Sequence, residues 1–189
     1  MVISAPSGAG KTTIMQNVLK RHPELVFSVS ATTRKRRENE IEGKHYFFIS
    51  EEEFKKKIEN DEFVEWERFY DYYYGTLKSF VRENIEKGAI VVLEVDVKGA
   101  LNIKNLFPES VLVYIAPPSM DALKERLINR KTDSEEDIKK RIERAEMELS
   151  VKDKFDYVIV NDNLENAIKG VEKIIEKIGE YKVEKSSLE

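Results

Sequence analysis

A chain of 189 residues is long enough to bury a substantial core and lies near the length of one domain. Charged residues make up 36% of it, so most of them must lie outside, yet 32 Lys plus Arg against 36 Asp plus Glu leave a net charge of -4 and no global attraction for nucleic acid or an anionic membrane. The lack of cysteine excludes disulfides, thiolate metal sites and thiol catalysis, and no apolar run approaches the roughly 20 residues that span a bilayer. The first four residues lead straight into a glycine loop and leave no room for a secretory leader, so the expectation is a cytoplasmic protein without nucleic-acid or membrane partners.

In chain order, short runs rich in β-branched residues fall at 2–4, 26–30, 89–95, 111–115 and 157–160. Helical patterns at 11–21, 51–60, 78–86, 120–129, 134–149 and 164–178 separate them. Ser50 with Glu53, and Ser134 with Asp137, have the spacing of helix-starting capping boxes. The alternation predicts an α/β fold, a five-stranded parallel sheet flanked by helices. Two stretches interrupt it. Residues 32–76 are polar, aromatic and poor in strand signals, which suggests an inserted module. Residues 119–145 are heavily charged with spaced arginines, which suits a small helical lid. The core is then 1–31, 77–118 and 146–189, with a tail beyond about Gly179 that looks disordered.

The loop Ala5-Pro6-Ser7-Gly8-Ala9-Gly10-Lys11-Thr12-Thr13 follows a strand and opens a helix, the context required of a phosphate loop. Its glycines let successive backbone N–H groups turn inward, and the helix N-terminus adds partial positive charge. Lys11 then reaches β- and γ-phosphates, and the Thr12 hydroxyl is placed to ligate Mg²⁺. Ala5 stands where the usual pattern begins with Gly. A bare structural turn would not demand Lys and Thr at these offsets, so ATP binding with Mg²⁺ is the expectation.

A phosphate loop specifies a nucleoside triphosphate but no reaction. The blocks that follow carry more: Ser28-Val29-Ser30-Ala31-Thr32-Thr33-Arg34-Lys35-Arg36-Arg37, Gly43-Lys44-His45-Tyr46, Glu65-Trp66 and Tyr73-Tyr74-Gly75-Thr76, with Ile115-Ala116-Pro117-Pro118 and Val158-Ile159-Val160-Asn161-Asp162 later. In order and spacing these motifs closely resemble guanylate kinase, a P-loop nucleoside monophosphate kinase family, across nearly the whole chain. The resemblance implies transfer of the γ-phosphoryl group of ATP to GMP or dGMP in purine nucleotide metabolism, by a monomer or homodimer.

It also implies roles residue by residue. Arg34, Arg37, Tyr46 and Tyr74 would hold the GMP phosphate, while Ser30, Glu65 and Thr76 would read guanine. The chemistry agrees, since guanidinium forks and phenols donate to phosphate oxygens, and a carboxylate accepts from guanine N1–H and its amine where adenine has no N1–H to offer. By the same resemblance Glu94 and Asp96 lie in the acceptor pocket, near GMP and close to Mg²⁺ through water, at the carboxyl end of a strand where open α/β sheets bind ligands. Helix capping by Asp96 is the competing reading. Arg126 and Arg130 are four apart and share a helix face. The family pattern matches these two and Arg141, but not Arg144, to stabilisation of the transferring phosphates. Lys11 completes the catalytic set, and Asn161 falls near the adenine of ATP.

Taken one by one, these residues have plainer explanations: a solvated basic run at 34–37, an aromatic strip at Tyr70, Tyr72, Tyr73 and Tyr74, and surface ion pairs for the lid arginines. Two other functions remain in view. A P-loop kinase for a sugar phosphate would have no use for Glu65, Ser30 and Thr76, and a phosphopeptide-binding module would have none for Lys11, Thr12 and the lid arginines.

Overall fold

The computed structural model describes residues 1–69, 71–129 and 135–186, with no account of the side chains of Phe69, Glu135 and residues 181–186. The elements in order are β1 (Val2–Ser4), α1 (Lys11–Arg21), β2 (Val26–Phe27), β3 (Ala31–Thr32), β4 (Phe47–Phe48), α2 (Glu51–Glu59), β5 (Phe63–Phe69), β6 (Tyr72–Leu77), α3 (Lys78–Glu86), β7 (Val91–Glu94), α4 (Val97–Leu106), β8 (Leu112–Ala116), α5 (Met120–Asn129), α6 (Glu135–Ser150), β9 (Tyr157–Val160) and α7 (Leu164–Ser186). A five-stranded parallel sheet has the order β2-β7-β1-β8-β9, and a second, four-stranded sheet has the order β4-β3-β6-β5. The expected α/β fold with its five parallel strands is therefore present.

The chain divides into two compact units, one of residues 1–2 and 24–110, the other of residues 3–23 and 111–189. In the first unit, the Met1 amine donates to Val91 O at 2.8 Å and Leu93 N donates to Met1 O at 3.0 Å, which continues the ladder of β7. β2 pairs with β7 in parallel. The same unit holds the second sheet, in which β5 and β6 form an antiparallel hairpin with Glu65 opposite Thr76. α2 closes one face of that sheet. Its start is the expected cap: the Ser50 side chain accepts from Glu53 N at 3.0 Å, with Glu51, Glu52 and Glu53 in the first turn favoured by the helix dipole. A small core of Ala31, Phe54 and Phe63 fills the space, with the Phe54 and Phe63 rings stacked at 4.3 Å. Gly75 is needed there, since a Cβ would come within 2.8 Å of the Phe63 ring and 3.0 Å of Phe54.

In the second unit every residue of β8 is buried, as expected of a strand covered on both faces. α1 contributes Ile14, Met15 and Val18 to the core, α5 contributes Leu123 and Leu127, and α7 contributes Ile168 and Val171. β9 pairs in parallel with β8, from Val113 opposite Tyr157 to Ala116 opposite Val160.

Four expectations need correction. The 32–76 stretch is not strand-poor, because β5, β6 and part of the sheet around them lie in it; an antiparallel sheet with one wet face carries polar residues that mask its alternation. The strand expected at 26–30 is shorter, with β2 ending at Phe27, and the next strand, Ala31–Thr32, lies beyond it and joins the other sheet. α4 was not anticipated, since Gly99 in its first turn weakens the helical pattern. Finally, α7 runs on to Ser186 where a disordered tail was expected. Ser134, the expected cap of the helix beginning at Glu135, lies outside the described residues, as does Tyr70 of the aromatic strip.

Candidate active site

Each unit carries one group of the residues singled out in the sequence. In the first unit, the antiparallel register sets Glu65 of β5 directly across from Thr76 of β6, and the Thr76 hydroxyl donates to Glu65 Oε1 at 2.7 Å. Burial pushes the Glu65 carboxyl up to about 7, against the Thr76 bond, which lowers it, with the charge of Asp96 adding to the rise. Glu65 thus has its ionisation poised near neutrality. Gly99 leaves the room it needs: a Cβ there would sit 3.2 Å from Glu65 Oε2 and 3.1 Å from Asp96 Oδ1. Asp96 caps α4 by accepting from Gly99 N at 2.7 Å, so the capping reading of this residue holds, and it also lines a cavity beside Glu65. That cavity, of about 370 Å³, has Trp66, Lys98 and Asn102 in its wall as well. Ser30 lies half-buried just before β3, and its carbonyl accepts from Phe47 N at 2.9 Å.

A second cluster in this unit gathers Arg34, Tyr46 and Tyr74. The Arg34 guanidinium lies 5.5 Å over the Tyr46 ring and 5.8 Å over that of Phe48, while the Tyr46 and Tyr74 rings meet edge to face at 5.9 Å. Glu40 first, and Tyr74 after it, raise the pKa of the Arg34 guanidinium. Burial and the neighbouring Tyr74 raise the Tyr46 phenol above its ordinary value, which keeps it a donor. Arg37 is exposed at the mouth of the same loop.

Sequence reasoning missed Glu40. Its carboxylate accepts from Arg34 Nη1 at 3.0 Å and Nη2 at 2.5 Å, and from the Arg37 backbone N–H at 2.8 Å. The Arg34 bond, followed by that of Arg37, holds the Glu40 carboxyl down at about 2. A two-pronged carboxylate on this guanidinium has the donor demand of a phosphate. The available signal was the acidic pair Glu38 and Glu40 directly after the basic run 34–37.

In the second unit, the loop 5–10 joins β1 to α1. Gly8 and Gly10 have φ of 90° and 94°, a left-handed backbone that side-chain-bearing residues rarely adopt, and Gly10 occupies the N-cap of α1 without any side-chain cap. Backbone N–H groups at such a helix start are suited to an anion. Ala5, Pro6 and Ala9 are buried, Ser7 and Lys11 are half-buried, and Thr12 and Thr13 are exposed on the first turn. Ala9 N donates to Pro6 O at 3.1 Å and closes the turn. Two of the predicted lid arginines lie against this region: Arg141 Nη1 donates to Ser7 Oγ at 2.9 Å, and Arg126 Nη2 donates to Asn161 O at 2.9 Å. Asn161 itself is buried against the loop, its Nδ2 donating to Ala9 O at 2.7 Å. Arg144, which the sequence left to ion pairing, bonds Glu148 one turn on at 2.8 Å. Arg130 lies outside the described residues.

The first unit thus gathers a buried carboxylate beside a cavity and an arginine–tyrosine cluster, and the second a glycine loop suited to an anion. Comparison with known proteins gives the family. A family model described as guanylate kinase matches residues 1–178. The guanylate kinase of Caldanaerobacter subterraneus subsp. tengcongensis is 50% identical over 93% of this chain and 85% of that protein. That of Thermotoga maritima is 51% identical, covering 92% and 84%. A crystal structure of guanylate kinase from Anaplasma phagocytophilum superposes with a TM-score of 0.74 at 31% identity, covering 93% of this chain and 83% of that one. With a family model and half-identical relatives spanning most of its length, the chain belongs to the guanylate kinase family.

Proposed function

We propose that the protein transfers the γ-phosphoryl group of ATP to GMP, giving ADP and GDP. The observation that carries this reading is the Glu65–Thr76 pair beside a cavity, with Arg34, Tyr46 and Tyr74 clustered in the same unit: a base reader and a phosphate clamp, in a member of this family. Residues 32–76 serve as the acceptor-binding module and 119–145 as the lid.

In the acceptor region, ionised Glu65 accepts hydrogen bonds from guanine N1–H and the exocyclic amine. Ser30 supplies a hydroxyl to the base, Thr76 holds the Glu65 carboxylate with its proton and turns its oxygen's remaining lone pair to the base as an acceptor, and Asp96 and Glu94 border it. Adenine lacks the N1–H and would leave the carboxylate unmatched, which is how a polar site rejects a near-isostere. Arg34, with Arg37, Tyr46 and Tyr74, takes the monophosphate. Because Glu40 already holds Arg34, the guanidinium is fixed in its plane before substrate arrives.

In the donor region, the loop amides and Lys11 take the β- and γ-phosphates, and Arg126, Arg130 and Arg141 offset charge on the transferring oxygens. The residues fit Mg²⁺: Thr12 presents a neutral oxygen, exposed on the first turn of α1, and this ion accepts one or two protein oxygens alongside phosphate oxygens and water. Bound there, Mg²⁺ would neutralise phosphate charge. No side-chain nucleophile is required, since an oxygen of the GMP phosphate attacks the γ-phosphorus in line and ADP leaves. The work of the side chains is to hold the two substrates and to exclude water.

Among the described residues no helix is long and apolar enough to cross a membrane, and we assign the activity to the cytoplasm. The test is ADP release from ATP and Mg²⁺ with GMP, AMP, UMP or CMP as acceptor. Strong preference for GMP is expected; equal rates with AMP, or no turnover with any acceptor, would refute the proposal.

A further inference from the structure

Asn161 follows β9 and was placed near the adenine of ATP on sequence grounds, but its contacts in the structure are of another kind. Its side chain is buried and its Nδ2 donates to the backbone carbonyl of Ala9, 152 positions away, at 2.7 Å. The orientation of the amide is set by this partner, since the reverse would face one oxygen with another. The backbone of Asn161 is itself anchored on both sides: its N–H donates to Ala116 O at 2.8 Å, and its carbonyl accepts from Arg126 Nη2 at 2.9 Å. The fit against the loop is close, because a Cβ on Gly10 would lie 2.4 Å from Asn161 Nδ2.

The peptide joining Ala9 to Gly10 is planar and trans, so its C=O and N–H point in opposite directions. Pinning the Ala9 carbonyl onto Asn161 therefore aims the Gly10 N–H away from Asn161. We propose that Asn161 is a positioning residue of the phosphate loop: by holding the Ala9 carbonyl it fixes the Gly10 N–H toward the polyphosphate, and it contributes to triphosphate binding irrespective of the base. The inference rests on the donor-site reading of the loop and adds a residue that acts through it. Arg126, docked on the Asn161 carbonyl, ties the first helix of the lid to the same point.

The experiment compares wild type with Asn161→Ala and with the near-isosteric Asn161→Leu, which keeps the volume, removes the donor and adds no charge. Dissociation constants are measured calorimetrically for ATP, GTP and inorganic tripolyphosphate with Mg²⁺, and for GMP. Loss of one buried hydrogen bond predicts weakening of about tenfold. All three triphosphate ligands should weaken by a similar factor in both variants, with the ATP-to-GTP ratio and GMP affinity unchanged. Weakening of ATP alone, with tripolyphosphate unaffected, would make Asn161 a base reader and overturn the proposal. Unchanged binding throughout would overturn it too, and so would parallel loss of GMP binding, which would mark a general role in folding. Failure of wild type to bind tripolyphosphate at all would instead refute the donor-site reading, and this inference with it.

Discussion

On the proposed assignment, the Arg34 cluster and the loop at 5–10 would meet phosphate by different means. Around Arg34 the recognition would be made by side chains, the guanidinium being held in advance by Glu40 and by the rings of Tyr46 and Phe48. In the loop it would be made by the backbone, through Gly8 and Gly10 at positive φ and the open N-terminus of α1, with Lys11 as the main side chain. The contrast follows from what each must distinguish. A triphosphate offers the same oxygens on every nucleotide, so backbone amides suffice for it. A nucleoside monophosphate must be told from its relatives by its base, which requires directional groups such as Glu65 and Thr76.

The difference can be broken most sharply at Lys11. Lys11→Ala should reduce turnover by about 10³-fold or more, because it removes charge stabilisation of the transferring group, while leaving GMP affinity unchanged. Steady-state rates with a direct GMP titration check this; a matching loss of GMP binding would erase the division of labour. Next in size is Arg34→Ala, expected to raise the KM for GMP by about 10²-fold through the loss of the proposed charge-assisted phosphate contact. The affinity for guanosine, which lacks the phosphate, should stay within about twofold, since the base contacts are untouched.

Glu65→Gln should narrow the preference for GMP over AMP by about 10-fold, as an amide presents only one acceptor to the base. The same residue predicts a pH dependence. Because burial raises the Glu65 carboxyl to about 7, it is largely neutral below that pH, and the form that accepts from guanine appears as pH rises through 7. Guanosine affinity should therefore climb between about pH 6 and 8 and stay flat in Glu65→Gln. Guanosine is the proper probe, since the phosphate of GMP titrates near about pH 6 on its own account. A last effect, on stability rather than on activity, should come from Gly75→Ala. Its methyl group has no space against Phe63 and Phe54, so the first unit should lose about 1–3 kcal/mol in urea unfolding monitored by its Trp66 emission.

The two regions were also unequally legible in the sequence. The phosphate loop is a contiguous motif, so its glycines, lysine and first helix could be read directly, and α1 begins and ends where expected. Ser50 and Glu53 likewise announced α2. The acceptor region is assembled from pieces. Glu65 and Thr76 meet only because β5 and β6 pair in one antiparallel register, and a slip of one residue would separate them. Residue types and spacing pointed to their roles through the family resemblance, while the hairpin that joins them was read as strand-poor chain. Glu40 and Asn161 mark the limit from another side. The sequence assigns Glu40 no role and sets Asn161 near the adenine of ATP, and only their partners, Arg34 and the Ala9 carbonyl, reveal what they hold.

The most direct test of the account is phosphorus NMR of a reaction containing ATP, Mg²⁺ and GMP. The account predicts that the ATP γ-signal is lost as the β-signals of ADP and GDP grow in equal amounts, without inorganic phosphate. ADP accompanied by inorganic phosphate and no GDP would contradict it.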